Sequence, residues 1–251
     1  MNTLANIDKI GVVVLAAGKG TRLNCTDRPK VMLEIGGRPI VSYVVETLEA
    51  IGFSPEQICV VVGFNQEKVR DYFNKRVRYV EQKEQLGTAH AADLGMRGLA
   101  PHIETVLVMG GDDSAFYTPA TLTNFIRQHI EAQATVSLLT AVVNDPTLLG
   151  RVIRDTAGNF IQVLEKEEIV PAQAHINEVS TGTYCFNRHW FEENFSKLPA
   201  IGTLGEYGLP KTVELARSHG KKIQTVTLQN PAEWFGVNTP EELAEADRRK
   251  N

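Results

Sequence analysis

A run of six apolar residues, Val12–Val13–Val14–Leu15–Ala16–Ala17, bounded by Gly11 and Gly18, constrains this chain more than any other stretch. It is too short for a useful helix. Flanked by glycines, it reads as a strand buried on both faces, hence the centre of a parallel sheet. A basic turn, Gly18–Lys19–Gly20–Thr21–Arg22, follows at the strand's carboxyl end. Glycines let backbone N–H groups approach phosphate oxygens closely, and Lys19, Arg22 and the later Lys30 add positive charge. Two well-known phosphate loops do not fit. A dinucleotide fingerprint needs glycine where Leu23 stands, and a P-loop needs Lys-Ser/Thr where Thr21–Arg22 follow Gly20.

Further along, apolar runs alternate with helical periodicity. Pro39–Ala50 places Ile40, Val44, Val45 and Leu48 on one helical face, with Gly52 as a stop signal. Ile58–Gly63 predicts a second strand. Asn65 is expected to cap a helix that turns Val69, Tyr72 and Phe73 inward. Val77–Val80, a helix over Gly87–Leu99, and Thr105–Met109 ending in Gly110–Gly111–Asp112–Asp113 continue the alternation. The expected fold is α/β: a doubly wound, Rossmann-like, mostly parallel sheet, whose ligands bind at the carboxyl ends of its strands. A helix over Thr118–Ala132 and a strand over Ala134–Val142 follow. Residues 144–187 then read as a β-rich insertion in a single domain spanning 1–251. It comprises two short strands around an Asp/Gly/Asn turn (Val152–Leu164) and a third, Val179–Phe186, forming a lobe over the sheet edge. A helix between Gly205 and His219, a strand at Ile223–Leu228, and a helix from Thr239 with Pro240 in its first turn close the chain. The charges from Glu241 to Lys250 read as a solvated face.

Composition narrows the function classes. A net charge of −4 argues against an electrostatic nucleic-acid binder, so any basic site is local. No apolar run reaches the roughly 18 residues of a membrane span, and the first ten residues do not read as a signal peptide. Cys25, Cys59 and Cys185 lack ligand or disulfide spacing, which suggests a reducing, cytoplasmic setting. The six histidines show no metal-ligand pattern.

The stretch Leu15–Ala16–Ala17–Gly18–Lys19–Gly20–Thr21–Arg22–Leu23, followed by Pro29–Lys30, resembles the L-A-A-G-x-G-T-R-L…P-K signature of nucleotide–sugar pyrophosphorylases. Gln82–Lys83–Glu84–Gln85–Leu86–Gly87–Thr88–Ala89–His90–Ala91 resembles the uracil-reading segment of bacterial N-acetylglucosamine-1-phosphate uridylyltransferases. An amide such as Gln82 can donate and accept at once, which suits the imide edge of uracil. The resemblance runs from about Ile10 to Ala246. Without hexapeptide repeats, the chain resembles the uridylyltransferase half of the bifunctional enzymes and not their acetyltransferase half.

The resemblance implies roles residue by residue. Leu15–Thr21 with Gln82, Gln85, Gly87 and Thr88 would bind the nucleotide. Arg22, Lys30 and Asp112 would serve catalysis, and Asp112 with Asn238, in Gly236–Val237–Asn238, would hold Mg2+, which prefers few protein oxygens plus water and phosphate. Gly111, Gly150, Glu165, Lys166, Ser180 and Thr181 would receive the sugar. Departures cluster on that side. Ser180 stands for the family's asparagine against the N-acetyl group, Gly110 for the tyrosine of Y-G-D, and Asp113–Ser114 for an apolar–proline pair. The implied partners are a nucleoside triphosphate, UTP favoured, and a sugar 1-phosphate: N-acetylglucosamine 1-phosphate or another hexose 1-phosphate. No nucleic acid or membrane partner is expected. Thymidylyl, cytidylyl or guanylyl transfer, or a catalytically silent sensor of the same fold, stand as alternatives.

Overall fold

The computed structural model describes residues 4–20, 23, 25–147, 149–201 and 205–251, with Glu167 described by its backbone alone. Strand β1 (Ile10–Ala16) carries the apolar run. Its side chains alternate between the two faces, as the period of a strand requires. Val12, Val14 and Ala16 join one core cluster, and Val13 joins the other. A small hairpin of β2 (Glu34–Ile35) and β3 (Arg38–Pro39) turns on Gly36 and Gly37, both at positive φ (57° and 72°), as a type I′ turn demands. Helix α1 (Ile40–Ile51) buries Ile40, Val44, Val45 and Leu48, and Gly52 at φ 109° ends it.

Strand β4 (Ile58–Val62), helix α2 (Glu67–Phe73), strand β5 (Arg78–Glu81), helix α3 (Thr88–Arg97) and strand β6 (Thr105–Gly110) follow. Helix α4 (Pro119–Glu131) starts on a Thr118 cap whose hydroxyl accepts from the Thr121 N–H. Then come β7 (Val136–Val142), β8 (Arg151–Arg154), β9 (Phe160–Leu164), β10 (Glu178–Asn187), α5 (Arg188–Asn194), α6 (Leu209–Ser218) and β11 (Ile223–Thr227). Helix α7 (Pro240–Lys250) opens on a Thr239–Glu242 capping box.

The main sheet runs β11-β7-β10-β6-β1-β4-β5, and every pairing along it is parallel except those of β10. Helices α1, α2 and α4 cover one face, whereas α3, α5 and α6 cover the other. This is a doubly wound α/β fold. The chain leaves β1 toward β4 and β5 on one side and returns to β6 on the other. The crevice at the β1–β6 carboxyl ends is therefore the switch point, where such folds bind ligands.

Four local expectations change. Asn65 adopts a left-handed conformation (φ 48°) and Gln66 holds the N-cap of α2. Tyr72 points outward at 38% exposure, so only Val69 and Phe73 face the core. The segment read as a third strand of the lobe is β10, which sits inside the main sheet, antiparallel to both β6 and β7. The remaining lobe is the β8–β9 hairpin, joined to β10 at the Val179–Arg151 pair. The last helix is less solvated than its charges suggested. Lys250 Nζ donates to the Ala115 carbonyl at 2.8 Å and lies over the Tyr43 and Phe116 rings, while Asp247 accepts from the Gly36 N–H. Among the described residues no helix is long and apolar enough to cross a membrane.

Candidate active site

The switch-point crevice opens into a cleft of about 520 Å³. At its head the Gly111 N–H donates to the Leu15 carbonyl at 2.9 Å, clasping the ends of β6 and β1 together. One half of the cleft is lined by Leu15, Ala16, Ala17, Gly18, Gln82, Gln85, Gly87 and Thr88. Gln85 Nε2 donates to the Ala17 carbonyl at 2.8 Å, tying the start of α3 to the glycine loop. Gln82 is 6% exposed, and its Nε2 is spent on the Gly87 carbonyl (3.1 Å) and His90 Nδ1 (3.1 Å). Its Oε1 is the group left to meet a ligand. Of the two amide functions the sequence offered, the acceptor is the one that no described residue engages.

Gly87 has no room for a side chain. At φ 92°, a Cβ there would lie 2.5 Å from the Tyr207 carbonyl oxygen. Tyr207 N–H donates to the Leu86 carbonyl, Ala89 N–H to the Tyr207 carbonyl, and Leu209 N–H to the Thr88 hydroxyl. The start of α3 is thus strapped to the segment leading into α6. Lys19 is exposed, Gly20 is half-buried, and neither lines the cleft; Thr21 and Arg22 lie outside the described residues.

At the centre, Lys30 Nζ donates to the Asp112 carboxylate and, at 2.9 Å, to Asn238 Oδ1. Lys30 is 12% exposed and Asp112 30%. Three distant segments deliver these groups. Lys30 follows Pro29 into a single 3-10 turn, and Asp112 follows β6. Asn238 is held by its own backbone, since its N–H and that of Thr239 donate to Glu242 in the α7 capping box. Phe235 and Val237 N–H groups donate to the Asp113 and Asp112 carbonyls at 3.3 Å, which lays this strap along β6's end.

Asp113 also lines the cleft, accepting from the Ser114 hydroxyl at 2.9 Å. Burial, reinforced by the neighbouring Asp112 charge, pushes its carboxyl up to about 7. The Ser114 hydrogen bond, Lys30 and the Trp234 indole oppose the shift. The sequence marked Asp113 only as a departure from the family's apolar–proline pair and gave it no role, because Asp after glycine is ordinary turn chemistry.

The other half is lined by Gly150, Glu165, Ser180, Gly182 and Tyr184. Because β10 runs antiparallel, its beginning lies at the carboxyl edge of β6, which brings Ser180 to the cleft. A bulge between Ser180 and Tyr184, with Gly182 at φ 76°, bends the strand there. The Ser180 hydroxyl lies 3.1 Å from that of Tyr184. Thr181 turns away: it is buried, and its hydroxyl donates to the Leu139 carbonyl at 2.9 Å. Gly111 contributes its clasp, Lys166 stands exposed on the adjoining 3-10 turn, and neither lines the cleft. Glu206, ahead of α6, and Leu209 and Pro210 in its first turn do line it, although the sequence pointed only to a helix between Gly205 and His219.

Among curated relatives, the bifunctional protein GlmU of Symbiobacterium thermophilum is 41% identical over 243 residues, 96% of this chain and 50% of that one. The bifunctional protein GlmU of Heliobacterium modesticaldum is 37% identical over 235 residues, 94% and 50% respectively. The chain spans about half the length of the curated relatives it matches. A Bacillus anthracis crystal structure, assigned as a glucose-1-phosphate thymidylyltransferase and solved with sucrose, shares the fold. Its TM-score is 0.79 at 18% identity, covering 96% of this chain and 95% of that one. With family similarity running over residues 11–249, the chain belongs to the nucleotidyl transferase family.

Proposed function

We propose that this protein is a Mg2+-dependent sugar-1-phosphate uridylyltransferase. It takes UTP and N-acetylglucosamine 1-phosphate or another hexose 1-phosphate, and forms the UDP-sugar and pyrophosphate. The observation that carries this reading is the meeting of Lys30, Asp112 and Asn238 between the glycine-loop half of the cleft and the Glu165–Ser180 half. A phosphate placed there touches both substrates' compartments.

The donors fit a hard cation. The Asp112 carboxylate and the Asn238 carbonyl oxygen already converge on one, the Lys30 ammonium, and both are oxygen ligands of the kind Mg2+ takes. Asp112 and Asn238 would hold the ion, which when bound supplies charge neutralisation across the phosphates. Amides of the Gly18–Gly20 loop and Lys19 hold the triphosphate. Lys30 stabilises charge that develops on the α-phosphate during in-line attack by the sugar phosphate oxygen. Glu165 accepts hydrogen bonds from sugar hydroxyls. No covalent intermediate is required, since alignment alone contributes much of the barrier reduction in such transfers.

Gln82 Oε1 supports a base bearing an N–H at position 3. Uracil has one, whereas cytosine presents a lone pair there and would leave two acceptors facing each other. Measuring pyrophosphate release over a matrix of nucleoside triphosphates and sugar 1-phosphates, with and without Mg2+, tests the reading. The expected result is Mg2+-dependent release with UTP well above CTP; no release from any pair would overturn it.

A further inference from the structure

Asp113 occupies space that the missing side chain of Gly110 creates, with Gly182 at van der Waals distance. A Cβ on Gly110 would lie 2.4 Å from Asp113 Oδ1, and one on Gly182 would lie 3.5 Å from Oδ2. Neither glycine's position is incidental. Gly110 is the last residue of β6, and Gly182 sits in the β10 bulge at positive φ. Both line the cleft with Asp113. The carboxylate therefore lies in a slot between the ends of two neighbouring strands, on the acceptor side of the Lys30–Asp112–Asn238 group.

Its hydrogen-bonding capacity is only partly used. The Ser114 hydroxyl donates to Oδ1 and the Trp234 indole also lies against the carboxylate, while among the described residues no salt bridge reaches Asp113. Among the described residues lining the cleft, the Lys30 ammonium already pairs with Asp112, and no second cation lines it beside Asp113. A carboxylate in such surroundings gains most from a ligand that brings both a donor and positive charge, because charge-assisted hydrogen bonds are roughly twice as strong as neutral ones. The nearby Ser180 hydroxyl, within reach of Tyr184 and of the Gly182 N–H, offers a second small polar contact.

We propose that Asp113 is a specificity-determining residue: its carboxylate, admitted between Gly110 and Gly182, accepts a hydrogen bond from an unacylated amino group on the acceptor sugar. The preferred acceptor is then a hexosamine 1-phosphate with a free ammonium, ahead of its N-acetylated form or the corresponding hydroxyl sugar. This deepens the uridylyltransferase reading and rests on it for the identity of the compartment.

The experiment measures binding of UDP-glucosamine, UDP-glucose and UDP-N-acetylglucosamine by calorimetry, so turnover is not needed. Pyrophosphate release with the three matching sugar 1-phosphates is followed in parallel. Wild type is expected to favour the amino sugar at least tenfold in both. D113N, isosteric but uncharged, should erase that preference through acceptor affinity, leaving the KM for UTP and the Mg2+ concentration for half-activation in place. G110A should do the same, by displacing the carboxylate. Thermal melts confirm that both variants are folded; if D113N is not, G110A carries the test. A preference for the acetylated sugar, an unmoved ratio in the folded variants, or a raised Mg2+ requirement in D113N would each overturn the inference. Absence of pyrophosphate release with all three acceptors would instead overturn the proposed function, and the binding ratios would still decide the role of Asp113.

Discussion

Lys30 Nζ donates to Asn238 Oδ1 at 2.9 Å across 208 positions of sequence. The same ammonium holds Asp112 at the end of β6, so one cation draws together the start, middle and end of the chain. In the absence of phosphate, the pair with Asp112 keeps a mostly buried ammonium compensated, as a charge removed from water requires. On the proposed function, anionic substrates would find that ammonium already at the meeting point.

Removing either member should therefore cost turnover more than nucleotide affinity. K30A and D112A are each expected to lower kcat by about 10² or more, the scale of a single electrostatic contribution to a transition state. Steady-state pyrophosphate release measures this. Near-normal turnover in both variants would assign the pair to stability alone.

Base choice should follow Gln82. Because Nε2 is held by Gly87 and His90, Q82A removes the acceptor that no described residue engages and also frees the Gly87 carbonyl. The UTP-to-CTP ratio in kcat/KM should fall about fivefold, one hydrogen bond's worth of discrimination. An unchanged ratio would mean that other groups read the base.

Gly87 offers a test of the strap between the starts of α3 and α6. Alanine there meets the Tyr207 backbone at 2.5 Å with φ at 92°, and backbone cannot yield as a flexible side chain can. G87A should lose about 1–3 kcal/mol of stability and weaken UTP binding together. Urea melts and nucleotide titration check both. Loss of binding at full stability would show that the clash is relieved by opening the strap.

His129 should make folding stability pH-dependent. Buried between α4 and β7 with its Nδ1 2.7 Å from the Ser137 hydroxyl, it has its pKa lowered by burial from 6.5 to about 4. Below pH 6.5 the unfolded chain takes up a proton that the folded chain refuses until about pH 4. Stability from this group is thus complete above 6.5 and lost as pH falls through that window. Between pH 7 and pH 5 the loss is on the order of 2 kcal/mol. H129Q should flatten the slope in urea titrations at the two pH values; an unaltered slope would point to another group.

How far these features were legible depends on the range of the interactions that make them. The β1 run and the four inward positions of α1 are local periodicities, and Ile40, Val44, Val45 and Leu48 are all buried. The half of the cleft proposed for the nucleotide draws on two contiguous stretches, and Leu15–Gly18 line it with Gln82, Gln85, Gly87 and Thr88, whereas Lys19 and Gly20 do not. The half proposed for the acceptor is not built from contiguous stretches. Nothing within residues 178–187 says which strands they will lie between, so the sequence alone groups them with the lobe. The same long-range placement turns Thr181 to the Leu139 carbonyl and leaves Ser180 at the cleft. Asp113 and Gly110 stand out in the sequence as separate departures, but not as a pair. Their relation is spatial, since the carboxylate fills room that a Cβ on Gly110 would take. Lys250 looked solvated because charge was weighed without the aromatic side chains of Tyr43 and Phe116 that receive it.

The position of β10 also imposes an order of assembly during synthesis. Strands β5, β4, β1 and β6 are complete once residue 110 has been made, and they can pair with one another at once. The free side of β6 then waits for residues 184–187, and β7, although made earlier, can join the sheet only through β10. Until then the nascent chain presents the bare edge of a Val-rich strand, a template for pairing with a neighbouring chain on the ribosome. A polypeptide stopped short of β10 would therefore be aggregation-prone, and one stopped before Asn238 would lack half of the pair that converges on Lys30.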